Sequence, residues 1–330
     1  VAPSRLSAGA VLGTSPWRKA IAGLQLLRGV RQARRLLKKL GASAVVGFGG
    51  YASLPAVWAG HGLGLKVVLH EQNAIAGRAN RLLARKASVI ATSFATVQGL
   101  AERERAKCAL TGNPVRAAIA EGGRRPYAVP GPKDRLTLLV TGGSQGARVF
   151  NELVPAAVCR LPAALKARLT VCQQVRGQDL GEVQALYRAC GVEAQLKSFF
   201  DDMPQRLAAA SLLVCRSGAS TVAELAAAGR PALLVPYPFA ADDHQRANAE
   251  AFAAAGGGWV LPQAGLSVET LAAELQRLFE DPAALVRAAG AARGFAQERA
   301  AERLADLVLG TAEVGQAGGA VASRRREAAA

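Results

Sequence analysis

The sequence predicts a protein of the α/β class with two domains, each built on a parallel sheet. Its 330 residues are enough for two domains of ordinary size. Short apolar, β-branched runs alternate with helix-compatible segments, as βα units do. The segment 121–134 has three glycines and three prolines, which is typical of an interdomain linker. We therefore predict domains at 1–120 and 135–309, followed by a disordered tail at 310–330.

The first domain begins with a basic helix. Over residues 17–40, apolar positions recur at helical spacing, and several Arg and Lys residues share another face. Strands are predicted in AVVGFGG, KVVLH and SVIATS. A doubly wound domain normally opens with a buried strand and a phosphate-binding glycine turn. Because the chain starts at Val1 with neither, we expect its first βαβ unit to be absent.

The second domain has a more complete alternating pattern. A strand is predicted at 135–140 and a helix from about 145, and further strands in LTVCQQV, AQLKSFF, SLLVCRS, PALLVPYP and GGWVLP. A last helix covers 282–309. Parallel α/β domains bind ligands at the carboxyl ends of their strands, or in the cleft between two domains. Functional residues are therefore expected in the loops that follow these strands.

Positive charge is concentrated in the first third of the chain. The whole chain has 41 Lys and Arg against 24 Asp and Glu, a net charge of +17, but residues 1–118 alone hold 18 basic and 3 acidic side chains. Such a field attracts nucleic acid, a phosphorylated substrate or acidic lipid. Only 5% of the residues are aromatic, which argues against nucleic acid because single strands are bound largely by aromatic stacking.

Cysteine spacing and hydropathy exclude other classes. The five cysteines are odd in number and lack a C-x-x-C pair, which argues against a disulfide framework and a zinc site and favours a reducing compartment. The long uncharged segment at 40–65 is broken by glycines and Pro55, so no transmembrane helix is predicted. The run Asp242, Asp243, His244 lacks metal-ligand spacing. We expect neither a metal nor another cofactor.

A glycine turn is predicted to bind a diphosphate. Gly142, Gly143 and Gly146 lie between a buried strand and an amphipathic helix, where free N–H groups and the helix dipole attract anions. Ser144 lies at the start of that helix. The spacing differs from G-x-G-x-x-G, so a nicotinamide dinucleotide is disfavoured.

Two further strand ends carry polar residues. In VCRSGASTVAE, Thr221 and Glu224 have T-x-x-E spacing, and two interpretations stay open: a helix capping box, or a carboxylate that accepts hydrogen bonds from ribose hydroxyls. His70, Glu71, Gln72 and Asn73 follow the strand KVVL. His70 is either part of a site or a packed, hydrogen-bonded residue.

Together these motifs resemble the MurG-type family, which transfers N-acetylglucosamine from its UDP derivative to lipid-linked N-acetylmuramyl-pentapeptide. The resemblance runs from about residue 12 to 309 and rests on the following segments: GFGGYAS (47–53), LHEQNAIAG (69–77), GNPVR (112–116), GGSQGA (142–147), FFDDM (199–203), CRSGASTVAELAAAGRPALLVPYP (215–238) and DDHQRANA (242–249). It implies the GT-B fold, in which two Rossmann-like domains face a cleft, and a role in peptidoglycan synthesis and hence in cell shape and division.

The resemblance implies a role for individual residues. Asn73 would contact the acetamido sugar, Arg116 the nucleotide, and Gln245 the sugar hydroxyls. Ser144 would hold the diphosphate, and Phe200 would lie beside uracil through its backbone. Phosphate and ribose would be held by the segment Ala219, Ser220, Thr221, Val222, Ala223 and Glu224, which favours the ribose interpretation of Glu224.

The implied reaction is a single inverting displacement. The 4-hydroxyl of the lipid-linked acceptor attacks the anomeric carbon of UDP-N-acetylglucosamine, and helix N-termini rather than a metal stabilise the leaving UDP. The family's first glycine loop, with a histidine proposed as the base, has no counterpart here, so this chain is expected to be inactive unless another residue replaces it. Glu71 is the best remaining carboxylate for that role.

The implied acceptor lies in a membrane, which accounts for the basic first domain. We expect peripheral attachment at the cytoplasmic face, through Trp17, Arg18, Lys19, Ile21, Leu24 and Arg28, to anionic lipid. The apolar face of the helix could instead pack on the domain's own core, and a mixture of the two is favoured. Two alternative functions stay open: a glycosyltransferase for another lipid acceptor, and a basic nucleic-acid-binding protein.

Overall fold

The chain forms two compact units in a computed structural model. The structure describes residues 3–8, 16–128, 131, 133–143, 147–176 and 180–327, with the side chains of 16–20 and 314–327 left out. Unit 1 consists of residues 1–113 together with 299–330, and unit 2 of residues 114–298. Neither unit's described helices include one long and apolar enough to cross a membrane.

Unit 1 is built on a four-stranded parallel sheet. Its strands are β1 (Ala44–Gly47), β2 (Lys66–Glu71), β3 (Val89–Thr92) and β4 (Cys108–Leu110), and they lie side by side in that order. The helices are α1 (Pro16–Lys39), α2 (Leu54–Gly62), α3 (Arg78–Leu83) and α4 (Glu102–Arg105). Because every strand is parallel, the segments after β1, β2 and β3 meet at one edge of the sheet.

Helix α1 packs on α2 through small residues. Ala22, Gly29 and Ala33 are buried and recur at helical spacing, so they form the face turned toward the unit. Leu26 packs against the core cluster that Val45, Val57 and other apolar residues form. The predicted helix at 17–40 is therefore observed at 16–39.

Unit 2 contains a six-stranded parallel sheet. Its strands are β5 (Leu136–Thr141), β6 (Leu169–Gln174), β7 (Glu193–Lys197), β8 (Leu212–Cys215), β9 (Ala232–Leu234) and β10 (Gly258–Val260), in the spatial order β10-β9-β8-β5-β6-β7. The helices are α5 (Ala117–Gly123), α6 (Arg148–Cys159), α7 (Ala163–Lys166), α8 (Leu180–Ala189), α9 (Met203–Ala209), α10 (Ala219–Ala228), α11 (His244–Ala254), α12 (Val268–Glu280) and α13 (Pro282–Phe295). The sheet is doubly wound, and the order of its strands reverses between β5 and β8.

The predicted domain boundaries differ from the observed units. Helix α5, which we predicted at the end of the first domain and the start of the linker, packs on α9 and α10 in unit 2. Gly123 makes this possible, because a Cβ there would overlap the backbone carbonyl of Ala227. Arg293 also donates hydrogen bonds to the carbonyls of Gly123 and Arg125, which brings the two ends of unit 2 together.

The last helix also departs from the prediction. Helix α14 (Ala300–Glu327) continues through the segment predicted to be a disordered tail, and it packs beside β1, β2 and β3 of unit 1. The second domain was therefore predicted to extend too far, because residues 299–309 belong to unit 1. Leu304 is buried there, so apolar contacts hold this helix.

Two cysteines contradict the expectation drawn from their spacing. Cys159 ends α6 and Cys190 follows α8, and the two form a disulfide across a sequence separation of 31 residues. The pair arises because α6 and α8 are neighbours. Cys108, Cys172 and Cys215 are free thiols.

Candidate functional site

The strand order of unit 2 brings two loops together at the carboxyl edge of its sheet. One loop follows β5 and the other follows β8, and these strands are neighbours where the order reverses. Crevices of this kind are the usual ligand sites of doubly wound sheets. Gly142 and Gly143 open the first loop, and Gly143 has φ +72°, a conformation that favours glycine. Ser144 lies outside the described residues.

Helix α10 presents an uncapped N-terminus to this crevice. It begins at Ala219 after Gly218, and no side chain in the described part of the chain caps it. The capping-box interpretation of Thr221 and Glu224 is therefore wrong, because the helix starts two residues before Thr221. The first N–H groups of a helix have no intrahelical partner, so they and the helix dipole favour an anion. Ser220 is exposed, whereas Val222 is buried and anchors the turn.

Two residues far apart in sequence form an ion pair beside this helix. Nη2 of Arg116 lies 3.2 Å from Oε1 of Glu224, with 53% and 25% of their side chains exposed. Burial raises the pKa of the Glu224 carboxyl above its ordinary value, and the positive charge of Arg116 lowers it in part. The pair places one carboxylate and one guanidinium at the same surface, which suits a ligand that carries both hydroxyls and phosphates.

Phe200 lies after β7 with its ring in the core. The ring is buried and the guanidinium carbon of Arg206 lies 4.1 Å from its centroid. Nε of Arg206 in turn donates to Oδ1 of Asp202 at 2.9 Å, which lowers the pKa of that carboxyl. The ring thus fixes the segment, and a ligand can approach Phe200 only through its backbone.

Gln245 ties the start of α11 to its neighbours. Its Oε1 accepts a hydrogen bond from the backbone N–H of Tyr237 at 3.0 Å, and its carbonyl accepts one from Oγ of Ser217 at 2.7 Å. Just before it, Asp242 and Asp243 both have positive φ, 53° and 54°. Strained backbone of this kind concentrates at functional sites. The α11 start is therefore held firmly against the loop after β8.

A short chain of hydrogen bonds connects the glycine loop to the segment before Phe200. The N–H of Gly143 donates to Oγ1 of Thr141 at 3.2 Å, and that hydroxyl donates to Oε1 of Gln174 at 3.0 Å. Nε2 of Gln174 then donates to the carbonyl of Ser198 at 3.0 Å. The side chain of Gln174 thus connects the segment predicted to hold the diphosphate with the segment predicted to hold uracil.

Sequence reasoning did not identify Arg216, which immediately follows β8. Its buried guanidinium donates to the carbonyls of Val235 and Pro236 and to Oε1 of Gln263, and it lies 5.0 Å from the ring centroid of Phe150. Burial lowers the pKa of Arg216, but arginine stays charged at neutral pH. Its positive charge favours an anion at the β5–β8 crevice. The sequence signal that could have identified Arg216 is a single basic residue directly after an apolar strand.

The polar residues at the carboxyl end of β2 and just after it form a second cluster, in unit 1. Glu71 is buried, and four donors surround its carboxylate: the N–H and Nδ2 of Asn73 to Oε1, and the N–H of Gly77 and Nδ2 of Asn80 to Oε2. These hydrogen bonds to both oxygens fix the orientation of the carboxylate. Glu71 therefore orients Asn73, and its role as the base stays a prediction.

His70 is a packed residue rather than an exposed base. Its Nε2 lies 3.0 Å from the carbonyl of Gly112, and its Nδ1 lies 3.1 Å from Nε2 of Gln72. Burial lowers its pKa, so the neutral ring is favoured at neutral pH. Nε2–H donates to the carbonyl and Nδ1 accepts from the amide in this arrangement.

The exposed face of α1 combines apolar and basic side chains. Ile21, Leu24 and Leu27 are exposed, with 61% of Leu24 accessible, and Arg28 is exposed on the same helix. The side chains of the other predicted membrane residues, Trp17, Arg18 and Lys19, lie outside the described part.

Comparisons with known proteins agree with both units. Family models match residues 5–92, as the glycosyltransferase family 28 N-terminal domain, and 137–304, as its C-terminal domain. The UDP-N-acetylglucosamine--N-acetylmuramyl-(pentapeptide) pyrophosphoryl-undecaprenol N-acetylglucosamine transferase of Rhodospirillum centenum is 54% identical, over 93% of this chain and 81% of the relative. The equally named protein of Rhodospirillum rubrum is 51% identical over 94% and 79%.

A solved structure also matches this chain across both units. The crystal structure of Acinetobacter baumannii MurG matches with a TM-score of 0.73 and 32% identity, over 92% of this chain and 83% of that one. The predicted fold class, GT-B with two parallel α/β units, is confirmed.

Proposed function

The chain belongs to glycosyltransferase family 28, and from that membership we propose that it moves N-acetylglucosamine from UDP-N-acetylglucosamine to lipid-linked N-acetylmuramyl-pentapeptide. This is the step from lipid I to lipid II in peptidoglycan synthesis. Relatives about half identical over nine-tenths of the chain are named for this transfer. Among described residues, the observation that carries the proposal is the pairing of Arg116 with Glu224 beside the uncapped start of α10.

Each part of a UDP-sugar has a matching group in unit 2. The diphosphate suits the N-terminus of α10 and the glycine loop after β5, and the buried charge of Arg216 adds to the positive field there. The ribose diol suits the carboxylate of Glu224, which accepts hydrogen bonds from both hydroxyls. Uracil suits the backbone around Phe200, and Gln245 at the start of α11 suits the sugar.

The proposed reaction is an inverting displacement. The acceptor hydroxyl oxygen forms a bond to the anomeric carbon, the bond from that carbon to the diphosphate oxygen breaks, and the hydroxyl proton passes to a base. Negative charge builds on the departing UDP, so preorganised N–H groups and the guanidiniums of Arg116 and Arg216 lower the barrier. The amide of Asn73, which Glu71 holds through two hydrogen bonds, suits the acetamido sugar.

A transfer assay tests this function directly. UDP release is measured from UDP-N-acetylglucosamine and from UDP-glucose, each with and without lipid-linked acceptor. We expect release only with the acceptor present, and faster release from the N-acetylated donor. Equal rates with both donors, or release from UDP-N-acetylglucosamine that other lipid acceptors support equally well, would contradict the proposal.

We also propose that unit 1 binds the cytoplasmic face of the membrane as a peripheral protein. Its α1 carries exposed Ile21, Leu24 and Leu27 beside basic residues. Apolar side chains enter the interface, and each basic residue near an anionic surface contributes about 1 kcal/mol.

Flotation with anionic vesicles tests the membrane proposal. The double variant Leu24→Ser/Leu27→Ser should remain unbound at low salt, where the unchanged protein floats. Leu186→Ser is the matched control, because Leu186 is an exposed leucine of unit 2. Equal flotation of both variants would show that α1 is not the contact surface.

A further inference from the structure

The disulfide of unit 2 lies where a small thiol can reach it. Cys159, at the end of α6, and Cys190, just after α8, are both half-buried. The other two cysteines of this unit, Cys172 and Cys215, are buried in strands of the sheet. Reagents in solution therefore meet the disulfide and not the free thiols of unit 2.

The surroundings of the disulfide suit both of its oxidation states. Sγ of Cys159 lies 3.5 Å from the carbonyl oxygen of Leu186, and Sγ of Cys190 lies 3.5 Å from the carbonyl oxygen of Tyr187. A disulfide sulfur carries no hydrogen, so neither contact is a hydrogen bond while the disulfide is intact. After reduction each sulfur becomes an S–H donor. Each thiol then has an acceptor already in place.

The compartment decides how such a bond behaves. The proposed function puts the chain at the cytoplasmic face of a membrane, and this inference rests on that location. Glutathione and thioredoxin keep most thiols reduced there, and the disulfides that do occur are usually transient, with catalytic or redox-sensing roles. A half-buried disulfide in that compartment is expected to open and close.

A buried hydrogen-bond network next to the disulfide joins α8 to the start of α6. The hydroxyl of Tyr187, three residues before Cys190, donates to Oε1 of Gln173 at 2.6 Å. Nε2 of Gln173 donates to the carbonyl of Phe150 at 3.1 Å and to Oδ1 of Asn151 at 3.4 Å. Phe150 and Asn151 lie in the first turn of α6, which follows the glycine loop after β5. The network therefore extends from the disulfide toward the proposed diphosphate site.

We propose that Cys159 and Cys190 form a redox-modification site, through which small thiols change the affinity of unit 2 for its nucleotide sugar. With the disulfide closed, α8 is tied to α6, and Tyr187 holds Gln173 against the first turn of α6. This preorganises the start of α6 for the diphosphate. With the disulfide open, only noncovalent contacts order the two helices, so part of the ordering cost falls on ligand binding.

Opening proceeds by thiol–disulfide exchange in two steps. A glutathione thiolate attacks one protein sulfur, a mixed disulfide forms, and the other cysteine leaves as a thiolate that takes up a proton. A second glutathione thiolate attacks the glutathione sulfur of the mixed disulfide, and the second cysteine leaves and is protonated in the same way. The protein gains two electrons and two protons, and two glutathione molecules become one glutathione disulfide. The reverse reaction closes the bond.

A redox titration of the folded chain tests the site itself. The protein is equilibrated with mixtures of reduced and oxidised glutathione, and its free thiols are then blocked with a maleimide and located by mass spectrometry. We expect Cys159 and Cys190 to become labelled together in millimolar reduced glutathione, while Cys172 and Cys215 stay unlabelled. A disulfide that survives this treatment is a purely structural one, and that result would overturn the proposal.

Calorimetric titration with UDP-N-acetylglucosamine tests the effect on affinity. Reduction should raise the Kd of the unchanged protein about threefold or more and lower its Tm by about 5–10 °C. The double variant Cys159→Ser/Cys190→Ser should bind like the reduced protein in both buffers. Cys108→Ser is the matched control, because Cys108 is a half-buried free thiol of unit 1, and it should respond to reduction as the unchanged protein does. Equal Kd values in the two redox states would refute the proposal.

Tyr187→Phe tests the route from the disulfide to the ligand. This variant keeps the buried ring and loses the hydrogen bond to Gln173. The disulfide should still open in glutathione, but the Kd values of the two redox states should differ by less than about twofold. A full response in this variant would overturn the role of Gln173. A chain that binds no UDP-N-acetylglucosamine in either redox state would instead contradict the proposed function, and the maleimide labelling would still decide the redox site.

Discussion

Replacement of Glu224 by glutamine separates a ligand contact from a contribution to stability. The substitution keeps the size of the side chain and removes its charge. In the folded protein the carboxylate faces Arg116 at 3.2 Å, and no capping bond to the α10 backbone is lost because none exists. A ligand contact therefore predicts lost affinity with little change in stability, whereas a structural role predicts lost stability.

The geometry sets the size of each effect. At 3.2 Å and an effective dielectric constant of about 20, the Coulomb attraction is about 5 kcal/mol before desolvation and screening. Because about half of Arg116 is exposed, the net contribution to stability should fall to about 1 kcal/mol or less. Hydrogen bonds from two ribose hydroxyls to a carboxylate contribute about 1.5–3 kcal/mol each, and glutamine retains one acceptor. A loss of about 2.7 kcal/mol in binding, or about 100-fold in Kd, follows.

Calorimetric titration with UDP and with 2′-deoxy-UDP measures this effect. The unchanged protein should discriminate between the two ligands, and Glu224→Gln should bind both weakly and with a smaller difference. Glu121→Gln is the control, since Glu121 is an exposed carboxylate of the same unit. Thermal unfolding of all three proteins should agree within a few degrees.

Two results would refute this reasoning. If Glu224→Gln bound UDP as tightly as the unchanged protein, the carboxylate would not contact ribose. If the variant lost several kcal/mol of stability together with its affinity, the residue would be structural.

Three further predictions follow from the same structure. Gly123→Ala should lower the free energy of unfolding by at least about 2 kcal/mol, because the new Cβ would overlap the Ala227 carbonyl. Gly122→Ala is the control: its Cβ would lie 3.6 Å from the Cβ of Ala208, so denaturant titration should show it neutral or slightly stabilising. Because burial raises the pKa of Glu224 above 4.5, the affinity for UDP-N-acetylglucosamine should fall as the pH is lowered toward that raised value. The free energy of unfolding depends on pH with the opposite sign. The contribution of Glu224 to it is fully present below pH 4.5 and is lost as the pH rises through the raised folded-state pKa. Glu224→Gln should remove the pH dependence of both the affinity and the stability. Glu71→Gln should reduce stability by about 2–4 kcal/mol, since glutamine cannot accept four hydrogen bonds. It should leave the binding of UDP, which carries no sugar for Asn73, unchanged; normal stability with lost turnover would support Glu71 as the base.

Much of the architecture could be predicted from local patterns. The helix at 17–40 and the strand that ends at Cys215 lie where periodicity placed them, because each segment buries one face or is buried entirely. The glycine loop after β5 and the polar run that begins in the last residues of β2 also lie at the carboxyl edges of their sheets, as parallel topology requires.

The errors concern contacts between residues distant in sequence. Nothing local to Gly123 indicates that it meets Ala227, and the separation of 31 residues between Cys159 and Cys190 gives no sign that α6 and α8 are neighbours. The T-x-x-E pattern failed for a related reason: Gly218 ends its extended segment early, so α10 starts before the pattern does. The donors around Glu71, in contrast, lie within nine residues of it, and local patterns missed them because they do not show how the segment after β2 folds back onto the carboxylate.

The return of α14 to unit 1 has a consequence for how the protein is made. Unit 2 is one uninterrupted segment whose ends meet at Arg293, so the ribosome completes it before it emits the last helix of unit 1. During translation β1, β2 and β3 are made early, but α14, which packs beside them, is made only after unit 2 is complete. The apolar surface that α14 covers is therefore exposed for the whole time that unit 2 is being synthesised, and this nascent intermediate is the one most in need of a chaperone.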